Sequence, residues 1–149
     1  MSRDPAVTSR IMSAIRSTGT RPEVALRRTV WARGLRYRVR NRLPGRPDMV
    51  FPRPRVVVFV DGDWWHGNGW RLRGLPNFEA QFTHRNGDWW RDKIESNIRR
   101  DRTADARLRE LGYTVLRMWE SEVLADPGAA ADRVQGAVAD HRQPPGGDR

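Results

Sequence analysis

Asp48, Asp61 and His66 are the residues whose types and spacing best suit chemistry in this chain. Asp48 closes the run Leu43-Pro-Gly-Arg-Pro and opens the apolar stretch Met49-Val-Phe51. Asp61 leaves the end of Val56-Val-Val-Phe-Val60, and His66 follows after Gly62-Asp-Trp-Trp65. Carboxylate oxygens at neighbouring strand ends are the hard ligands that Mg²⁺ takes. An imidazole that titrates near neutrality can accept a proton from water. Taken singly, each aspartate also reads as an ordinary turn residue, Asp48 after a proline and Asp61 before a glycine. The combination is what points to a metal-assisted site.

Four further groups bear on that site. Asp101 falls at the helical spacing of Ile94, Ile98 and Leu108, so it should point inward. An inward carboxylate needs a partner, either an arginine or His66. Glu23 closes a capping box, Thr20-Arg-Pro-Glu23, which by itself accounts for its presence. Trp64 and Trp65 sit between glycines and polar residues, a poor setting for buried indoles, and with Met12 they could wedge between bases. Lys93, Asn97 and Arg100 share one face of a helix and could meet phosphates or base edges, with Arg46 in the turn before Asp48 a further cation. Trp89 and Trp90 read as ordinary packing.

The elements that must position these residues follow from periodicity and punctuation. Residues 2–15 form an expected helix capped by Asp4, within an N-terminal segment over 1–19. Thr20 opens the next helix, whose apolar face is Val24, Leu26, Val30 and Trp31, and Gly34 ends it. Leu35, Tyr37 and Val39 alternate with arginines as a half-buried strand would. Asp48–Phe51 is a short strand, and Val56–Val60, five apolar residues in a row, is a central strand buried on both faces. Residues 62–87 read as a long functional loop with one short helix. A long helix is expected over 88–111 with Leu111 on its core face, a strand over 114–119, and a last helix from Asp126-Pro127 to about Ala139. The expected architecture is an α/β three-layer sandwich with a central mixed sheet flanked by helices, in one domain over 1–142, and a disordered tail over 143–149.

Composition narrows the partner. Lys and Arg total 28 against 18 Asp and Glu, a formal charge of +10, and such an excess favours a polyanion. Lys93 is the only lysine, a skew that codon usage can explain, though codon usage does not explain the charge excess. No cysteine is present, which removes disulfides and thiolate metal sites. No stretch approaches the ~20 apolar residues of a membrane helix, and the start lacks the apolar core of a secretory signal. The expected setting is bacterial cytoplasm, on the nucleoid.

The chain resembles the very-short-patch repair (Vsr) DNA mismatch endonucleases, a branch of the PD-(D/E)xK nuclease superfamily, over about residues 9–122. The motifs are Ser9-Arg-Ile-Met12-Ser-Ala-Ile15, Leu43-Pro-Gly-Arg-Pro-Asp48, Val58-Phe-Val-Asp-Gly-Asp-Trp-Trp-His66, Lys93-Ile-x-x-Asn97-x-x-Arg-Asp101 and Leu111-Gly-Tyr-x-Val-Leu-x-x-Trp-Glu120. The resemblance implies a restriction-endonuclease-like fold and a monomer that nicks the strand carrying the T of a T:G mismatch. By position, Asp48 looks like the essential Mg²⁺ ligand, aided by the main-chain carbonyl of Val60, with Asp61 a metal ligand or a leaving-group contact. His66 matches the general base, Asp101 its orienting partner, and Glu23 a residue that helps hold metal-bound water. Met12, Trp64 and Trp65 match intercalating side chains. The implied partner is mismatched duplex DNA, with other mismatch-repair proteins as further candidates and no membrane.

One departure is large. Many members hold a structural zinc with cysteines and a histidine, and the matching positions here are Asp63, Asn68, Trp70 and Ser121, so no zinc is expected. The loop must then be held by packing and hydrogen bonds. Two other readings stay open at this point. One is a nicking enzyme of a restriction or phage-defence system that acts on modified or sequence-defined DNA. The other is a non-catalytic binder of distorted DNA.

Overall fold

The computed structural model describes residues 19–142. The expected helix over 2–15, Met12 on it and the tail over 143–149 lie outside the described residues. Helix α1 (Arg21–Ala32) leads to strand β1 (Met49–Phe51), then β2 (Val56–Asp61). A short helix α2 (Gly69–Leu72) and a 3-10 turn (Phe78–Phe82) precede the long helix α3 (Gly87–Glu110). Strand β3 (Thr114–Trp119) is followed by α4 (Glu120–Ala125) and α5 (Pro127–Arg142).

The sheet has the order β1-β2-β3 and is mixed. β1 runs antiparallel to β2, with Met49 opposite Val58 and Phe51 opposite Val56. β3 runs parallel to β2, with Phe59 beside Arg117 and Asp61 beside Trp119. β2 is the central strand, as its continuous apolar run requires, because both of its faces are covered. Val56 and Val58 pack with Leu26, Val30, Val123, Val134 and Val138 of α1, α4 and α5. Val57 and Phe59 point the other way and pack with Leu108 of α3. The period of two along a strand therefore makes three layers, helices on either side of one sheet.

The same alternation aims the chemistry. Asp61 follows Val57 and Phe59, and Arg117 lies beside Phe59 in the register, so both face α3. Residues 101 and 105 are one helical turn apart on α3 and face the sheet there. Asp48 enters from a turn held by Arg46 N–H to the Leu43 carbonyl (2.9 Å) and Asn41 Nδ2 to the Pro47 carbonyl (3.0 Å). Gly45 in that turn has φ +74, and a Cβ there would come within 2.9 Å of the Cβ of Ala104 on α3. The turn can therefore lie against α3 only with glycine at its tip.

Several local expectations are corrected. Leu35 to Val39 is no strand, since a single antiparallel bridge, Arg38 to Val50, joins it to β1. Leu35 is buried, and Tyr37 stacks edge-on to Phe51 at 6.0 Å, so packing side chains rather than a ladder hold this segment. Leu111 is 50% exposed, because the helix ends at Glu110 and Leu111 is its cap. Residues 120–125 form α4, a helix too short to show periodicity, with Val123 its buried anchor. The 62–87 segment carries a 3-10 turn beside its short helix. No described helix is long and apolar enough to cross a membrane.

Candidate active site

A cleft of about 770 Å³ opens at the C-terminal end of β2, beside the turn that leads into β1. Its walls include Glu23, Arg46, Asp48, Val60, Asp61, Trp65, His66, Lys93, Asn97, Arg100 and Asp101. Residues from α1, the Asp48 turn, β2, the following loop and α3 thus converge in one place. Trp64 is not among the lining residues.

Asp48 is anchored twice by β2. Its N–H donates to the Val58 carbonyl (2.8 Å), and its Oδ2 accepts from Val60 N–H (2.7 Å). Burial pushes its carboxyl up to about 7, with the negative charges of Glu23 and Asp61 adding to the rise against the Val60 hydrogen bond and Arg27. A cation bound here would relieve that crowding and draw the group back to its charged form. The donor set therefore fits a hard divalent metal. Glu23 is only 4% exposed, and the capping box does not form as expected. Thr20 makes no side-chain cap, and Glu23 instead accepts from Gly19 N–H (3.0 Å) and pairs with Arg27. Capping therefore does not account for Glu23, which lines the cleft with Asp48.

His66 Nδ1 hydrogen-bonds to Asp101 Oδ2, and Asp61 Oδ1 lies 3.9 Å from the same nitrogen. Burial lowers the affinity of His66 for a proton, but Asp101 and Asp61 outweigh it and the net shift is upward. Both partners weighed for Asp101 are present together, since Arg117 Nη1 lies 3.7 Å from Asp101 Oδ1. Arg117 also donates to both oxygens of Asp61 (3.0 and 3.1 Å) and pairs with Asp105 (2.7 Å). Asp61 is shifted upward, first by burial, against His66 and Arg117. Donor atoms of Asp61, His66 and Asp101 lie within 4.8 Å of one another, close enough to share a cation, and the guanidinium of Arg117 is already among them.

Arg117 and Glu120 join the site without having been expected there from the sequence. Arg117 interrupts the strand Thr-Val-Leu-Arg-Met-Trp, and a cation inside an apolar strand was the available signal. Glu120, the first residue of α4, lines the cleft, and burial followed by the charge of Asp63 shifts its carboxyl upward.

The aromatic residues are arranged differently from the expectation. Trp64 and Trp65 are half-buried, and each packs on Trp90, at 6.2 and 5.7 Å between centroids. Trp65 still forms part of the cleft wall. Trp89, read as ordinary packing, does pack edge-on to Trp90 at 4.9 Å, but it is 60% exposed. Asn97 is engaged as a support: its Nδ2 donates to the Trp65 carbonyl (3.0 Å), and Arg100 donates to its Oδ1 (3.1 Å).

Three of the four positions compared with zinc ligands form a hydrogen-bonded clasp. Asp63 Oδ1 accepts from Asn68 Nδ2 and Ser121 Oγ (2.7 Å each), and its Oδ2 accepts from Ser121 N–H (3.0 Å). Asp63 and Asn68 are buried, and the clasp ties the start of the loop to α4. Trp70 lies outside it, under the guanidinium of Arg71.

A mixed sheet between helices, with carboxylates and a histidine gathered at the end of its central strand, is compatible with the restriction-endonuclease-like nucleases. Comparison with known proteins then fixes the family. A family model described as "DNA mismatch endonuclease Vsr" matches residues 2–72. The chain is 40% identical over 137 residues to the type II nicking enzyme V.NmeDIP of Neisseria meningitidis serogroup C, spanning 91% of this chain and 88% of that one. It is 41% identical over 126 residues to the type II nicking enzyme V.XorIIP of Xanthomonas oryzae pv. oryzae, spanning 84% and 87%. To the DNA mismatch endonuclease Vsr of Escherichia coli strain K12 it is 38% identical over 118 residues, spanning 78% and 71%. The chain belongs to the Vsr family, and it is a DNA-nicking endonuclease.

Proposed function

We propose that this endonuclease nicks one strand of duplex DNA beside a mismatch, T:G first among them, and so starts very-short-patch repair. The observation that carries the chemistry is the union, in one cleft, of the crowded carboxylate of Asp48 with the Asp101-held imidazole of His66. Mg²⁺, held by Asp48 and the main-chain carbonyl of Val60, would supply positive charge for the phosphate and its leaving oxygen. His66 takes the proton of the attacking water on Nε2, while Asp101 fixes the ring through Nδ1. Glu23 orders water beside Asp48. Arg46, Lys93 and Arg100 hold the DNA backbone through charge. Trp65, backed by Trp64 and Trp90, presses on the base stack, which yields most easily where pairing is already weak. Met12, outside the described residues, is proposed to intercalate beside the mismatch as well.

A second reading has support of its own, because several relatives are named type II nicking enzymes. A cleavage panel separates the two. Duplexes carrying each mismatch, and fully paired duplexes with and without cytosine methylation, are incubated with enzyme and Mg²⁺. Preferential nicking of T:G supports repair. Equal nicking of paired methylated DNA supports a defence role and defeats the mismatch reading.

A further inference from the structure

Two carboxylates compete for one nitrogen of His66. Asp101 Oδ2 hydrogen-bonds to Nδ1, and Asp61 Oδ1 lies 3.9 Å from the same atom. Nothing in the imidazole itself chooses between them, and a ring that followed Asp61 would aim Nε2 elsewhere. Arg117 supplies the choice. Its Nη1 donates to Asp61 Oδ1 and Oδ2 at 3.0 and 3.1 Å, so that both oxygens of Asp61 are engaged. Its other edge is locked on Asp105, with Nε and Nη2 at 2.9 and 2.7 Å from Oδ1, and Nη2 reaches the Asp101 carbonyl at 3.4 Å. The guanidinium plane lies 3.9 Å over the Phe59 ring. A planar fork with both edges and one face occupied has little freedom to move, which a lysine could not reproduce.

We propose that Arg117 is a positioning residue of this nuclease: it withholds Asp61 from His66 and leaves Asp101 to orient the ring. The same grip makes Asp61 the ion-pair partner of Arg117, so that Asp61 would reach a metal only by releasing it. The catalytic part of the proposal rests on the role of His66 given above, whereas the choice of carboxylate is a property of the free protein.

The test uses full-length protein with ¹⁵N-labelled histidine, wild type and R117M. In metal-free wild type, the Nδ1–H proton of His66 is observed in its hydrogen bond to Asp101, and D101N moves it strongly while D61N moves it little. In R117M this dependence is reversed, because Asp61 is free to compete. In single-turnover nicking, R117M loses roughly 10²-fold in rate, the cost of a misaimed group, with DNA affinity within about two-fold, and R117K recovers only part. The penalty for D101N shrinks in the R117M background, since the two changes act on one arrangement. A folded R117M protein whose Nδ1–H resonance still depends on Asp101 alone overturns the proposal, whatever its rate. Should R117M not fold, R117K and D105N, which loosens the far edge of the fork, are read the same way. Wild-type protein that nicks no DNA would defeat the nuclease mechanism while leaving the NMR comparison decisive for Arg117.

Discussion

Replacing Asp48 by Asn should make the metal-free protein more stable while removing its activity. Asn keeps the shape and the acceptor for Val60 N–H but removes a charge that burial, Glu23 and Asp61 all oppose. The carboxyl rises from an ordinary 3.8 to about 7 in the fold. Below the lower value both folded and unfolded chains are protonated, and the group costs nothing. Between the two values the unfolded chain ionises first, so stability falls as pH rises, and above about 7 the whole cost is present. At 1.36 kcal/mol per decade the ceiling is ~4 kcal/mol. Because Asp48, Glu23 and Asp61 share the strain, we take about half, ~2 kcal/mol, which for a chain of this size is roughly 6 °C in Tm. Thermal and urea unfolding in chelator should therefore place D48N above wild type at about pH 8. The gap should close toward about pH 4. Added Mg²⁺ should raise the wild type and leave D48N unmoved. A D48N protein that is equal to or less stable than wild type at about pH 8 would refute the electrostatic argument for a cation at Asp48.

Other predictions concern the rest of the cleft and the clasp beside it. Single-turnover nicking should rise with pH through a midpoint above the free histidine value of 6.5, because the base role proposed for His66 requires it to lose a proton that its neighbours hold on. H66A should lose about 10²–10⁴-fold and that pH limb with it; an unchanged limb would assign the titration elsewhere. D63A should lower stability by ~2–4 kcal/mol in urea unfolding, since it orphans Asn68 and two donors of Ser121, and an unmoved midpoint would mean that the clasp is not what holds the loop. K93A should weaken DNA binding similarly for all sequences and reduce the slope of log Kd against log salt by ~1. Loss of preference without loss of slope would make Lys93 a reader of bases instead.

Much of this arrangement was legible because strong local patterns coincide with the candidate site. Val56 to Val60 has only one reading, a covered central strand, so Asp61 and His66 had to emerge at its end. Pro44-Gly-Arg-Pro47 had to turn, so Asp48 had to enter beside it. Helical spacing likewise turned Asp101 inward. What escaped depended on partners distant in sequence. Arg117 acquires meaning only from Asp61, 56 residues away, and from Asp105 across a layer. Trp64 and Trp65 looked exposed because their immediate neighbours are polar, whereas the surface that half covers them comes from Trp90 and Phe82. Glu23 fitted a capping pattern that Thr20 does not complete, because the glutamate reaches Gly19 and Arg27. Local rules thus located the candidate groups, and tertiary packing decided which of them meet one another.

The most direct test of the whole account is strand-specific nicking of paired substrates under single-turnover conditions. One duplex carries a T:G mismatch and the other T:A in the same flanks, each with Mg²⁺ or with chelator, for wild type and D48N. The expected result is a single nick in the T strand of the mismatched duplex, at least about 10²-fold faster than in the matched one, dependent on Mg²⁺ and absent from D48N. Equal nicking of both duplexes, or nicking that survives in D48N, would contradict it.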